Sequence, residues 1–285
     1  MLILVSFIRV LSTQSMSGTY GSGFAPSPYV TPNTIFERYS VPLTTRGSSA
    51  NNSQAVVAFE NQFIDVDGDF KNFAHELGLK FVQPEIDGLN DPTQPGGEST
   101  LDIQYITAIG QGIPTTFMSL SNEGPAGSGG PAKPPGDGAY ILEWLAHVSD
   151  LVNAPLVTSV SYGDTEDGYY TKFGNFSYID RCETEFAKMA ARGLSVLVAS
   201  GDAGVSNVGD SGNDISDTDA TCSPFRPVYP GNSPYVTSVS STFLSTNYLP
   251  ICQSNLLPSL PIICQQVGEI AVGVSQGLFW TTGRF

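Results

Sequence analysis

The chain has 285 residues, of which 27 are acidic and 12 are basic, so its formal net charge at pH 7 is −15. A chain this acidic is not expected to bind nucleic acid or an anionic membrane surface, because both depend on Lys and Arg. Apolar residues make up 40% of the sequence, which is enough for the core of one large domain or two small ones.

The N-terminal residues do not resemble part of a folded domain. The apolar run from Met1 to Ile8 is too short to span a bilayer. It is also a poor signal peptide, because it lacks a basic start, Arg9 follows it directly, and no small-residue cleavage site comes after. We therefore expect residues 1–29 to be an unplaced tail and the domain to cover residues 30–285.

Short apolar runs alternate with amphipathic stretches of helical length through the first 200 residues. The pattern predicts strands over 55–59, 115–120, 156–162 and 194–200, and helices over 34–39, 69–77, 97–109, 139–152 and 178–192. A Gly- and Pro-rich loop is predicted over 121–138. This alternation indicates an α/β fold with a doubly wound, mostly parallel sheet and helices on both faces. Functional groups should then gather at the carboxyl ends of the strands.

Two carboxylates stand out on the predicted helix 97–109. Glu98 and Asp102 are four residues apart, which places both on one face, one turn apart. Two like charges at that spacing repel, so the pKa of one should rise. The simpler interpretation is a solvated helix face near an N-terminus, where acidic residues suit the helix dipole.

A third carboxylate follows the apolar strand 194–200. Asp202 lies in the sequence Ser-Gly-Asp-Ala-Gly, between two glycines. An acid at the carboxyl end of a strand is in the usual position for a site in an α/β sheet. The alternative is an ordinary turn, for which Asp and Gly are common.

These features together resemble the sedolisin family of serine-carboxyl peptidases, and its lysosomal tripeptidyl peptidase branch in particular. The resemblance covers residues 30–285 and is specific, because six segments match in order at family-like spacing. The segments are 30–32 with 38–39, 51–55, 98–105, 159–164, 190–194 with 199–202, and 233–239. It implies a subtilisin-like fold and peptide or protein substrates.

The resemblance also implies roles for particular residues. Glu98 would be the general base for a nucleophilic serine, Asp102 would orient Glu98, and protonated Asp202 would donate to the oxyanion. The segment Ser161-Tyr162-Gly163 resembles the strand that lies beside the substrate. A Glu paired with an Asp titrates in the acid range, so this machinery suits an acidic compartment.

The sequence departs from the family pattern in its last third. The family's serine motif, G-T-S-x-S, does not occur, and neither does the calcium site that follows it. No cofactor is therefore expected in this chain, and the calcium site would lie in a C-terminal part that is missing. We expect a fragment or a degenerate copy, truncated before the serine and inactive by itself, with strand 194–200 uncovered on one face. The oligomeric state and the choice between tripeptide release and internal cleavage cannot be predicted.

Two other functions are compatible with parts of the sequence. An inactive homologue could bind peptides by strand addition along Ser161-Tyr162-Gly163. A glycosidase using Glu98 and Asp102 is a weaker alternative, because glycosidase carboxylates flank a bond from opposite sides.

The four cysteines indicate an oxidising compartment. None forms a C-x-x-C pair and only two His are present, so a zinc site is not expected. The even count and the N-x-S sequons at Asn51 and Asn175 favour a lysosomal, acidic-vesicle or secreted location. We expect bridges between Cys182 and Cys222, where a helix and the next loop could meet at the sheet edge, and between Cys252 and Cys264. The alternative is four free buried thiols.

Overall fold

A parallel sheet of six strands forms the centre of the protein in the computed structural model, which describes residues 31–120, 141–174, 176–202, 226–245 and 268–271. The described strands, in chain order, are β1 (Gln54–Ala58), β2 (Glu85–Gly88), β3 (Thr115–Ser119), β4 (Val157–Val160), β5 (Asp164–Thr165), β6 (Ser195–Ala199), β7 (Val228–Tyr229), β8 (Thr237–Val239), β9 (Thr242–Ser245) and β10 (Gly268–Ala271). The sheet has the order β2-β3-β1-β4-β6-β8 with every neighbouring pair parallel. The small pairs β5–β7 and β9–β10 are antiparallel.

The described helices surround this sheet. They are α1 (Pro32–Arg38), α2 (Lys71–Glu76), α3 (Gly97–Ile109), α4 (Ile141–Asp150), α5 (Glu166–Phe173) and α6 (Ser177–Ala191). The sequence predicted all of them except α5, and the bounds of α3 agree with the prediction. A π-helical turn over Val66–Phe70 leads into α2, and it begins where the Asp65 carboxylate accepts from the backbone N–H of Gly68 at 2.9 Å. None of the helices in these described ranges is long and apolar enough to cross a bilayer.

Alternate residues of the central strand β1 face two separate cores. Val57 and Ala55 contribute to the larger core, which contains Trp144 and Leu145 of α4 and Phe186 of α6. Val56 and Ala58 point the other way, into a core that contains Ile103 of α3, Ile64 and Phe70. All of β1 is buried because helices cover both of its faces. The predicted doubly wound α/β arrangement is confirmed.

The strand β6 is less well covered on the α3 side. Val196 and Val198 are buried, whereas Leu197 and Ala199, which alternate with them, are half-buried. Near the amino ends of the strands, a cavity of about 410 Å³ separates Leu197 from Ile106 and Ile109 of α3 and reaches solvent. Among the described residues β6 is therefore partly covered on this face, and the expectation that it is uncovered stays a prediction.

One disulfide expectation needs correction. Cys182 is a free, fully buried thiol in the structure, so the predicted bridge to Cys222 is not present. The reason is that the Cys182 side chain points into the larger core, on the packed face of α6, and not toward the sheet edge. Burial raises the pKa of this thiol to about 12. Residues 1–29, Cys222, Cys252 and Cys264 lie outside the described residues, so the pair 252–264 stays a prediction.

The larger core offers a direct test of the fold. Leu145→Ala removes a fully buried side chain of α4 and should lower the free energy of unfolding by about 2–5 kcal/mol, because it leaves a cavity among packed residues. Val152 is 93% exposed just beyond the same helix, so Val152→Ala should stay within about 0.5 kcal/mol of the wild type. Urea denaturation followed by circular dichroism measures both. Equal effects of the two substitutions would contradict the packing described.

Candidate active site

Helix α3 carries two carboxyl groups to the carboxyl ends of the central strands. Its first turn is held in place by Ser99, whose hydroxyl donates to the Phe63 carbonyl at 2.5 Å, and by the Gly96 N–H, which donates to the same oxygen at 2.9 Å. Glu98 and Asp102 follow on one side of the helix, one turn apart. The structure therefore places the predicted pair at the edge of the sheet where sites in such folds form.

The two carboxyl groups are desolvated to different degrees. Asp102 is only 7% exposed, and burial, followed by the nearby charge of Glu98, raises its pKa well above the ordinary value. Burial also raises the pKa of Glu98, which is less deeply placed. A hydrogen bond from the Ser161 side chain opposes both shifts. Burial thus favours the protonated form of both groups, and the effect is larger for Asp102.

Tyr162 lies beside this pair and is fixed by the end of β1. Its hydroxyl donates to the Phe59 carbonyl at 3.5 Å, and its ring stands edge-on to the Phe59 ring, with 5.1 Å between centroids. Burial raises the pKa of Tyr162, and the charges of Asp102 and Glu98 raise it further. The phenol therefore stays neutral beside the carboxyl pair.

The segment Ser161-Tyr162-Gly163 connects a strand of the parallel sheet to a strand of a small antiparallel pair. β4 ends at Val160 and β5 begins at Asp164, so the three residues follow the parallel pairing and precede the antiparallel pairing. Gly163 is exposed, and a Cβ there would come within 2.6 Å of the Tyr229 carbonyl oxygen, so a larger residue would displace that backbone. The segment thus leaves the sheet at the carboxyl end of β4, a strand that lies between β1 and β6.

Asp202 stands at the same edge of the sheet, after β6. Gly201 precedes it with a φ of 94°, and Asp202 itself is half-buried. The end of β6 is tied to the residues after β8, because the Ser200 N–H donates to the Val239 carbonyl and Ser200 and Ser240 hydroxyls hydrogen-bond at 3.0 Å. The structure thus brings Glu98, Asp102, Ser161 and Tyr162 together, and it places Asp202 one strand further along the edge.

The sequence analysis missed one acid of this region. Glu60 follows β1 directly, and its charge contributes to the raised pKa of Tyr162. Glu60 and Asn61 have φ values of 59° and 56°, a left-handed conformation that is uncommon for residues other than Gly. The signal that could have found Glu60 is the same as for Asp202, an acid immediately after a buried strand.

Metal ligands do not converge in the part of the chain that the structure describes. In those ranges, no three His, Cys, Asp or Glu side chains are placed to hold an ion together. No residue of the chain is therefore assigned to the calcium site that the family resemblance implies.

Comparison with known proteins gives a consistent group of relatives. The chain is 35% identical to tripeptidyl-peptidase 1 of Pongo abelii and 34% identical to that of Homo sapiens, in each case over 252 residues that cover 85% of this chain and 39% of the relative. It is 34% identical to tripeptidyl-peptidase 1 of Dictyostelium discoideum over 216 residues, 74% of this chain and 31% of the relative. The chain therefore spans about two fifths or less of the length of these curated relatives. No protein-family model matches it.

A solved structure shares the fold. Pseudomonas sedolisin, a serine-carboxyl proteinase in complex with two molecules of pseudo-iodotyrostatin, matches with a TM-score of 0.56 and 22% sequence identity. The match covers 79% of this chain and 56% of that chain. This confirms the predicted fold class.

The raised pKa of Asp102 has a consequence for stability. A pKa that is higher in the folded protein means that the folded state binds more protons than the unfolded chain, so this group lowers the free energy of unfolding as pH rises above about 4. Asp102→Asn removes that dependence. Relative to the wild type, the variant should therefore be more stable at pH 7 than it is at pH 4. Urea denaturation of both proteins at both pH values measures the free energies of unfolding.

Asp67→Asn is the matched control, because Asp67 is an exposed carboxylate in the same part of the chain. It should show no comparable rise between pH 4 and pH 7. A rise of the same size in both variants would mean that burial of Asp102 is not the cause.

Proposed function

Because the chain belongs to the sedolisin family, in the tripeptidyl-peptidase 1-like branch, we propose that it carries the acid–base part of an acid-acting serine-type peptidase. The observation on which this rests is the buried carboxyl pair, Glu98 and Asp102, at the carboxyl end of the sheet. The segment 161–163, which the family resemblance places beside the substrate, follows β4 at the same end of the sheet.

Glu98 would be the general base. The family's nucleophile is a serine in a G-T-S-x-S motif, which these 285 residues do not contain. When that hydroxyl attacks the peptide carbonyl carbon, a C–O bond forms and the Glu98 carboxylate accepts the hydroxyl proton. Glu98 then returns the proton to the leaving nitrogen as the C–N bond breaks, and water repeats the sequence on the acyl-enzyme.

Asp102 would keep Glu98 in the correct position. A neutral Asp102 can donate a hydrogen bond, and a neutral acid beside Glu98 does not repel the charge of the base. The buried position of Asp102 supports this role, because burial favours its protonated form. This is the function that Asp has toward His in a Ser-His-Asp triad, carried out here by two carboxyl groups.

Asp202 would stabilise the oxyanion that forms on the carbonyl oxygen. A carboxyl group can donate to an oxyanion only while it is protonated, and acid pH supplies that state. The reaction then needs Glu98 ionised and Asp202 protonated in the same molecule. These opposite requirements limit activity to an acidic range, and we infer a lysosomal, acidic-vesicle or secreted location.

The substrate would lie along Ser161-Tyr162-Gly163 as an added strand. Main-chain hydrogen bonds to an extended edge accept many sequences, which suits a peptidase acting on peptides or unfolded protein.

A second candidate is a homologue that binds peptides without cleaving them. The feature in its favour is Ser161-Tyr162-Gly163, which resembles the strand beside the substrate in the family and needs no nucleophile to bind a peptide. In that case the same edge, 161–163, would hold a peptide, and Glu98 would have no hydroxyl to deprotonate.

Catalytic roles can be tested in a version of the chain that is extended with the serine-bearing remainder of a relative. Glu98→Gln should lower kcat by about 10³-fold or more, because the serine loses its base. Asp202→Asn should lower kcat by about 10²–10³-fold, the usual effect of removing one oxyanion donor. Both variants should unfold at the same temperature as the parent protein.

Exposed acids provide the controls for this experiment. Glu76→Gln and Asp67→Asn change side chains on α2 and on the preceding turn, both exposed, and should leave kcat within about twofold. Turnover like that of the parent protein in Glu98→Gln or Asp202→Asn would exclude the proposed mechanism.

The 285-residue chain by itself should have no peptidase activity. A carboxylate base without a nucleophile leaves at most about 10³–10⁴-fold acceleration over water, which an ordinary assay does not detect. The measurement is hydrolysis of unfolded protein and short peptides between pH 3 and pH 7. Turnover clearly above that of the Glu98→Gln variant of the same chain would show that another serine acts as the nucleophile.

A further inference from the structure

The segment 161–163 lies against the strand β7, which is distant in sequence. Asp164 pairs with Tyr229 in the antiparallel ladder that begins directly after the segment. A Cβ atom on Gly163 would lie 2.6 Å from the Tyr229 carbonyl oxygen and 3.1 Å from the Val228 side chain, so only glycine fits against this backbone. The position of Gly163 therefore depends on where the backbone of Tyr229 lies.

Residues 228–233, the β7 loop, are compact and hydrogen-bonded to one another. The Asn232 N–H donates to the Val228 carbonyl and the Ser233 N–H donates to the Pro230 carbonyl, each at 3.0 Å. Every residue of the loop is buried except Asn232, which is half-buried. Because closely packed groups transmit strain to one another, a displacement at one end of the loop also moves the other end.

The β7 loop also contacts the strand that leads to Asp202. A Cβ atom on Gly231 would lie 3.0 Å from the Ala199 carbonyl oxygen, at the end of β6. Asp202 follows that strand directly in the chain. The loop therefore lies between segment 161–163, where we propose that a peptide binds, and the strand that carries the proposed oxyanion donor.

Two helices anchor the β7 loop through carboxylates. Glu166, in the first turn of α5, accepts a hydrogen bond from the side-chain amide of Asn232. Glu183, on α6, accepts one from the Ser233 hydroxyl at 3.1 Å, and Ser233 is only 7% exposed. Hydrogen bonds to an ionised acceptor are roughly twice as strong as neutral ones. The loop is therefore fixed at two neighbouring residues by groups from two separate helices.

Another acid of α6 provides a comparison. Glu185 accepts from Lys188 at 2.6 Å and from the Ser149 hydroxyl of α4 at 3.1 Å. Its hydrogen bonds thus lead to α4 and along α6, whereas that of Glu183 leads to the β7 loop. A substitution of Glu185 removes an acid and its hydrogen bonds from the same helix without releasing the loop.

We propose that Glu166 and Glu183 are positioning residues that hold the β7 loop against Gly163 and so keep segment 161–163 in place for a peptide. A binding segment that is ordered before its ligand arrives lowers the entropy cost of binding. The benefit to peptide binding rests on the proposed function, whereas the mechanical link from the two carboxylates to Gly163 does not. The two parts can therefore be tested separately.

The mechanical link is measured in the 285-residue chain by a double-mutant cycle. Gly163→Ala places a methyl group against the Tyr229 carbonyl oxygen, so it should lower the urea midpoint of unfolding. In Glu183→Ala the loop can yield to that methyl group, and the further loss caused by Gly163→Ala should be about half or less of its loss in the wild type. Glu166→Ala should act in the same way. In Glu185→Ala the loss should be as large as in the wild type.

A conservative variant separates anchoring from the loss of side-chain volume. Glu183→Gln keeps an oxygen that can accept from Ser233, so Gly163→Ala should lower the midpoint in this background nearly as much as in the wild type. If Gly163→Ala does not fold, the amide resonance of Gly163 in the single variants answers the same question. It should move in Glu183→Ala, stay in place in Glu185→Ala, and return toward the wild-type position in Glu183→Gln.

The benefit to a peptide is measured in the serine-extended version of the chain, with a short unstructured peptide as substrate. A loosened segment weakens binding of the substrate and of the transition state alike. Glu183→Ala should therefore raise KM by about 2–10-fold and leave kcat within about threefold. Glu98→Gln should do the opposite and lower kcat, because it removes the base.

Additive effects of Glu183→Ala and Gly163→Ala, an equally reduced loss in Glu185→Ala, or no recovery in Glu183→Gln would each overturn the proposal. A fall in kcat with KM unchanged would also contradict it, because the carboxylates would then act on the chemical step. If the extended chain cleaves nothing while the cycle gives the expected coupling, the proposed function fails and the link from the carboxylates to Gly163 stands.

Discussion

The packing of α3 across one face of the sheet is the constraint on which the site depends. Ile103, fully buried against Val56 and Ala58, sets the height and rotation of the helix. With the helix fixed there, Glu98 and Asp102 lie at the carboxyl ends of β1 and β4. Burial at this position desolvates both carboxyl groups. In water two acids one turn apart would both ionise and repel each other weakly. Desolvation makes them chemically unequal, which general acid–base catalysis requires.

The opposite face of the sheet supports segment 161–163, where we propose that a peptide binds. There the Tyr229 ring stands edge-on to Tyr169, with 5.6 Å between centroids, within an aromatic core that also contains Trp144 and Phe186. The carbonyl oxygen of the same Tyr229 occupies the space next to Gly163. The backbone of segment 161–163 therefore lies against a densely packed core, and support of this kind reduces the cost of ordering the segment when a ligand binds.

Elements with strong periodicity could be predicted from the sequence, and weakly patterned ones could not. Helix α3 and the strands β1 and β6 were predicted because their apolar residues repeat at helical or strand spacing. The strand β2 is half-exposed and contains Glu85 and Asp87, so its side chains carry no such signal, and its place is set by pairing with β3. The predicted bridge of Cys182 failed for a different reason, because Cys182 shares the apolar face of α6 with Tyr178 and Phe186 and its thiol therefore packs into the core.

The sequence by itself determined the chemistry available to this protein. The spacing of Glu98 and Asp102, the position of Asp202 after an apolar strand, and the missing serine motif can all be read from the chain. Only the tertiary structure decided that Asp102 is more deeply buried than Glu98, and that the charges of Asp102, Glu98 and Glu60 all act on Tyr162. Local sequence fixes which groups share a helix face, whereas desolvation and contacts between distant residues arise only when separate strands and helices pack together.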